Sequence, residues 1–303
     1  MHVSTRALLA VWATVSFSAA ALDAAAPAVL AVTLRRDSPW KAPAPEASQK
    51  LIEELKKDLP GDRFRIYPVG PWVVATDLPA DEARGFVDST LQIYAAKIQQ
   101  QLFKTPRSSP VKVMLFADAD SYTTWNVKLF GERPSTPFGY YSRARNAMVM
   151  NIGTGGGTLL HEMVHAMAEA DWPGIPSWLN EGIGSLFEAS TCMPSGKVFG
   201  VTNWRLRGLQ KDLEAGTATK LADLLAMDTA TFYGERSGAN YATSRYLMQW
   251  LQVHGKFEAF YTGVRDREDH DAATVLRQVF EDKFSIAEIE KQLFAWVRTL
   301  KQP

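Results

Sequence analysis

His161-Glu162-Met163-Val164-His165 is the run in this chain whose residue types and spacing are best suited to chemistry. On a helix, two histidines four positions apart project from one face about a turn apart, so their imidazoles can share one zinc ion. Glu162 lies beside the first histidine in sequence. Its carboxylate can reach a water on the metal without becoming a ligand, which is the placement a general base needs. Catalytic zinc takes a third protein ligand and keeps its fourth position open. The next segment supplies that ligand. After a turn at residues 171–176, Ser177-Trp178-Leu179-Asn180-Glu181-Gly182 opens a second helix, with Ser177 as its expected cap. An antiparallel return across the turn brings Glu181 beside both imidazoles. The expected centre is one Zn2+ held by His161, His165 and Glu181, with Glu162 as base. Glu188 falls seven residues after Glu181 on the same helix face. It either accepts a hydrogen bond from a ligand histidine or is a solvated helix glutamate.

These side chains need a frame. Leu159, Leu160, Met163, Val164, Ala166 and Met167 surround the histidines and would bury the rest of their helix. Upstream, residues 48–59 have helical spacing and end at Pro60-Gly61, and 64–67 and 72–76 read as short strands. From Pro79 to about 103, a stripe of Phe86, Val87, Leu91, Tyr94, Ile98 and Leu102 predicts a long helix. Residues 111–117 form a candidate central strand, followed by a helix over 118–130. Segments 138–142 and 146–152 predict a hairpin across Arg143-Ala144-Arg145. The glycine tract at 153–157 lacks a following Lys-Ser or Lys-Thr, so it is no phosphate loop. Beyond 158 the chain reads as predominantly helical, over 158–170, 177–189, 203–214, 239–253, 270–281 and 285–300.

With these motifs in place, the sequence resembles the thermolysin-like zinc peptidases whose third ligand is a glutamate, the gluzincins. Trp178-Leu179-Asn180-Glu181-Gly182 resembles the third-ligand stretch of the related aminopeptidases, and residues 139–188 are similar to small bacterial peptidase-like domains of largely unknown role. The resemblance is local, covering about a quarter of the chain with specificity. It implies an α+β fold: a thermolysin-like lobe with a small sheet and the His-Glu-x-x-His helix, followed by a mainly helical C-terminal region. It also implies peptide hydrolysis. Those aminopeptidases carry an oxyanion-stabilising tyrosine about sixty residues after the glutamate ligand, and Tyr241 stands there, with Tyr246 and His254 as lesser candidates. Plain packing is the competing role for Tyr241. By the same resemblance, 146–152 would be the edge strand that pairs with substrate backbone. The Gly-x-Met-Glu-Asn stretch that binds a free amino end is absent, so the expectation does not extend to an exopeptidase.

Composition narrows the partners. Hydrophobic residues make up 46% and charged residues 22%, the balance of an ordinary globular protein. The 33 basic residues offset the 33 acidic ones, and without a basic run nucleic acid is not an expected partner. Residues 1–26 read as a secretory signal, cleaved near 20–26, with an uncleaved membrane anchor as the alternative. They are followed by a Pro- and Ala-rich linker over 27–47. The expected division is then 48–152, an α/β part with the sheet, and 153–303, the ligand helices and the helical region. An exported protein, periplasmic or extracellular, acting on a peptide or protein is the expectation; the oligomeric state stays open. Cys192 is the only cysteine, which excludes an internal disulfide and reads as a buried, inert thiol. Two other functional classes fit the same residues: a non-catalytic zinc-containing binding protein, and a zinc amidase acting on a non-peptide or cell-wall substrate.

Overall fold

Val111-Lys112-Val113-Met114-Leu115-Phe116 and Ala147-Met148-Val149-Met150-Asn151 are nearly unbroken apolar runs. Side chains alternate faces along a strand, so a sheet built from such runs must be covered on both sides. The computed structural model describes residues 25–40 and 43–302 and provides both covers. Its strands are β1 (Ala28–Val29), β2 (Arg65–Val69), β3 (Trp72–Thr76), β4 (Val111–Phe116), β5 (Gly139–Ser142) and β6 (Ala147–Asn151). They form one mixed sheet in the order β1-β2-β3-β4-β6-β5. β3, β4 and β6 are parallel, β2 and β5 run antiparallel to β3 and β6, and β1 lies parallel to β2.

On one face, Met114, Phe116, Ala147 and Val149 pack with Leu51 and Leu55 of α1 (Pro45–Asp58) and with Tyr122 and Trp125 of α4 (Ala119–Phe130). Asp118 caps α4 by accepting from the Ser121 amide at 2.8 Å. On the other face, Val113, Leu115, Met148 and Met150 enter a larger core. There they meet the long helix expected from Pro79. It forms as α2 (Ala80–Gly85), a π-helical stretch (Phe86–Ala95) and α3 (Ala96–Leu102), and its stripe of Val87, Leu91, Ile98 and Leu102 is buried. The same core takes in α5 (Gly157–Asp171) and α6 (Ser177–Phe187) and reaches Val297 near the chain end. Residues 48–152 and 153–303 therefore share one core.

The second half continues with α7 (Arg205–Ala215), α8 (Leu221–Leu225), α9 (Thr229–Phe232), α10 (Ser237–Val253), α11 (Phe257–Asp266), α12 (Ala272–Gln278) and α13 (Ile286–Thr299). A two-stranded hairpin, β7 (Ser190–Cys192) with β8 (Val198–Gly200), interrupts the helices. The chain is thus a mixed α and β protein, compatible with the α+β expectation. α11 was not expected, although Phe257, Phe260, Tyr261 and Val264 carry helical spacing and are all buried.

Four expectations need correction. Part of the 27–47 linker belongs to the fold: β1 adds to the sheet edge, and buried Trp40 meets Trp72 edge-on at 5.5 Å between ring centroids. Segment 146–152 is not an edge strand. β6 is hydrogen-bonded to β4 on one side and β5 on the other, so the edge on this side of the sheet belongs to β5. Ser177 does not cap α6; Pro176 holds that position, and the Ser177 hydroxyl meets Thr229 Oγ1 at 2.8 Å. Cys192 is only half-buried, because the hairpin that carries it lies at the surface. The export signal falls outside the described residues apart from 25 and 26. Among the described residues no helix is long and apolar enough to cross a membrane.

The end of α5 is fastened to the second half by Asp171. Its carboxylate pairs with Arg265 Nη1 at 2.6 Å and accepts from Tyr261 Oη at 2.9 Å and from the Thr105 amide at 2.6 Å. Its side chain is 1% exposed. Removing one partner of a buried pair is costly, and Arg265 keeps Asp266 as a second partner. Asp171→Ala is therefore expected to destabilise the fold by about 3 kcal/mol, the lower end for such pairs, measured by denaturant unfolding. A loss under about 0.5 kcal/mol would show that the fastening contributes nothing beyond a surface ion pair.

Candidate metal centre

The apolar residues of α5 bury the helix on both sides of its histidines: Leu159, Leu160, Met163, Val164 and Met167 are all core residues. α6 returns antiparallel to it. Moving down the pair, His165 meets Asn180, His161 meets Glu181 and then Glu188, and Gly157 meets the Glu188 carbonyl. Glycine permits this approach. A Cβ at Gly157 would stand 2.2 Å from the Glu188 backbone oxygen, and one at Gly184 would stand 3.0 Å from the His161 ring.

His161, His165 and Glu181 form a largely buried group whose ligand atoms all lie within 4.8 Å of one another, close enough to bind one metal ion. One oxygen, Glu181 Oε2, stands 3.0 Å from His161 Nε2 and 3.4 Å from His165 Nε2. Donor atoms about 2.0–2.2 Å from a tetrahedral zinc sit about 3.4 Å apart, so the observed separations fit such an ion. The donor set, two imidazoles and one carboxylate, also fits.

The other ring nitrogens are held as metal-ligating histidines usually are. His165 Nδ1 lies 3.0 Å from Asn180 Oδ1. An amide oxygen only accepts, so Nδ1 carries the hydrogen and Nε2 is left as the donor atom. His161 Nδ1 lies 3.3 Å from Glu188 Oε2, at ion-pair distance but off the axis of a good hydrogen bond. Glu188 thus takes the role of histidine partner rather than that of a solvated glutamate. It is itself held by Asn203 Nδ2 at 2.7 Å and Arg205 Nε at 3.3 Å.

Charge organises this cluster. Burial opposes protonation of His161, but the carboxylates of Glu181 and Glu188 prevail and push its pKa up to about 10. His165 is also raised, burial again being overcome by Glu181. Burial works against the charge of Glu181 as well, yet the two histidines hold its carboxyl well below the usual carboxylate range. Glu188 is likewise held low, against burial, by His161 and Arg205.

Glu162 is not part of the ligand set. It lines, with His161, a cleft of about 470 Å³ whose walls include Phe138 and Gly139 at the start of β5 and Asn203, Trp204 and Arg205 leading into α7. Burial raises its carboxyl pKa, with His165 and His161 pulling the other way.

Tyr241, in the first turns of α10, is half-buried and close enough to Glu181 that burial and that carboxylate together keep its phenol protonated. The Arg205 guanidinium stacks on its ring at 4.9 Å. Tyr246 and His254 lie elsewhere: Tyr246 is fully buried against Asn203, and His254 Nδ1 bonds the Trp250 carbonyl at 2.8 Å. Sequence reasoning missed Tyr233, whose hydroxyl donates to Glu181 Oε1 at 2.6 Å. Burial and the Glu181 charge raise this phenol too. It also missed Asn180, Asn203 and Arg205. Only Asn180, adjacent to a proposed ligand, carried a local signal. No protein-family model and no curated protein matches the chain, so the functional reading rests on this site.

Proposed function

We propose that the protein is an exported zinc metallopeptidase of the gluzincin type, built on a thermolysin-like lobe, that hydrolyses peptide bonds. The observation that carries this reading is the convergence of His161, His165 and Glu181 from two antiparallel helices, with Glu162 beside them on the wall of an open cleft. A bound zinc ion supplies a Lewis acid and lowers the pKa of its water. Glu162 takes the proton from the attacking water and returns it to the leaving amine. The phenol of Tyr241, held in its protonated form, donates to the oxyanion that develops at the scissile carbonyl. β5 is an edge strand of the sheet, and its first residue Gly139 lines the cleft, so an extended substrate can add to it as a further strand.

The test is metal analysis coupled to cleavage. Protein purified with zinc should cleave a library of unstructured peptides, lose that activity on chelation, and regain it when zinc is restored. Zinc retained without cleavage would overturn the peptidase reading; failure to bind zinc would overturn the metal assignment as well.

A further inference from the structure

The Glu181 carboxylate is shared between two environments. Oε2 faces both imidazoles, at 3.0 and 3.4 Å, whereas Oε1 accepts from Tyr233 Oη at 2.6 Å. A carboxylate with two free oxygens can bind a cation through both of them. A phenol-to-carboxylate bond of about 2.5–2.7 Å is the short, charge-assisted kind, strong enough to withdraw one oxygen from that competition. We propose that Tyr233 is the positioning residue that keeps Glu181 a one-oxygen ligand. The inference rests on the metal-site reading above, not on the identity of the substrate.

The location of Tyr233 adds a mechanical consequence. It sits in the turn between α9 and α10, 50% exposed, with its ring edge-on to Phe232 at 5.2 Å. The start of α9 is tied to the start of α6 by the hydroxyl contact between Thr229 and Ser177, 2.8 Å long. A turn outside the ligand helices is thus fastened to the ligand carboxylate at one hydroxyl. Ordering that carboxylate on a metal orders the turn.

The experiment compares wild type, Tyr233→Phe and Tyr241→Phe, each loaded with Co2+ or Zn2+. The first substitution removes only the hydroxyl and leaves the ring against Phe232. Its expected effects are a 10- to 100-fold (order of magnitude) weaker metal affinity, read by competition with a chromophoric chelator, and weaker visible cobalt bands as the second carboxylate oxygen joins the ion. Metal should slow hydrogen exchange over residues 229–237 in the wild type but not in Tyr233→Phe. The Tyr241 phenol also lies near Glu181 but makes no direct bond comparable to that of Tyr233, so Tyr241→Phe should change spectrum and affinity less than Tyr233→Phe does. Wild-type spectrum, affinity and exchange in Tyr233→Phe would overturn the inference alone. A wild-type protein that binds neither ion would remove the metal reading, and this inference with it.

Discussion

Glu162→Gln is expected to lower peptide turnover by about 10²- to 10⁴-fold while leaving bound zinc unchanged, because the amide matches the carboxylate in shape but cannot take a proton. Glu162 contributes no atom to the His161–His165–Glu181 group, so the substitution leaves the ligands where they are. Stability separates this from unfolding. Burial raises the Glu162 pKa above its ordinary 4.5. A carboxyl raised in the folded state contributes stability below the unfolded pKa and loses it as pH rises through the folded value. At neutral pH that loss is already present in the metal-free protein, and a neutral amide removes it. The melting temperature of the metal-free variant should therefore not fall. Steady-state kinetics, metal analysis and a thermal melt on one preparation decide the matter. Turnover equal to wild type would end the general-base assignment, and a large drop in melting temperature would attribute lost activity to the fold.

The second large effect is expected from Glu181→Ala. Losing an outer-shell partner of a metal ligand costs about 10- to 100-fold in affinity, so losing one of three ligands should exceed 100-fold (an order-of-magnitude bound). Protons report the same change. In the metal-free wild type, Glu181 and Glu188 overcome burial and push the His161 pKa up to about 10 from 6.5. A raised histidine contributes stability that is fully present below its unfolded pKa and is lost as pH rises through the folded value. The metal-free wild type should therefore lose stability between about pH 6.5 and 10, and Glu181→Ala should be flatter across that window. A metal ligand must be deprotonated, so zinc binding by the wild type at pH 7 should release at least about one proton, that of His161, with any proton on the likewise raised His165 adding to it. Calorimetry in two buffers of different ionisation enthalpy measures that release. Zinc affinity in Glu181→Ala within tenfold of wild type would exclude Glu181 as a ligand.

Local pattern was enough to place the two histidines of α5 on one face with Glu162 beside them. Two histidines at a helical interval, a glutamate between them and an apolar surround are written in fifteen consecutive residues, Gly157–Asp171. The return of α6 was legible for a related reason, since a short turn between two helices leaves an antiparallel pairing as the simple outcome. The buried strand β4 and the hairpin of β5 and β6 were also visible, because a core strand carries its apolar content within a few residues. What escaped depends on which elements lie side by side. Segment 146–152 has the composition of a strand whether it is interior or at an edge; only its pairing with both β4 and β5 makes it interior and passes the edge on that side to β5.

Tyr233, Asn203 and Arg205 are the clearest cases. Each lies between 15 and 52 residues in sequence from the carboxylate it holds. Their contacts form only because α6 is packed against α10, where the Ser244 hydroxyl meets the Trp178 carbonyl and Gly182 leaves it room, and that packing carries the α9–α10 turn and the start of α7 to the site. By itself, the sequence picked out His161, His165 and Glu181 as a group able to hold a metal ion and Glu162 as its neighbour, because helical periodicity and a short turn between two helices set those relations. Only the tertiary structure decided how His161 and Glu181 are held and that the Tyr233 phenol donates to Glu181, because those relations come from helix and strand packing that no local spacing encodes.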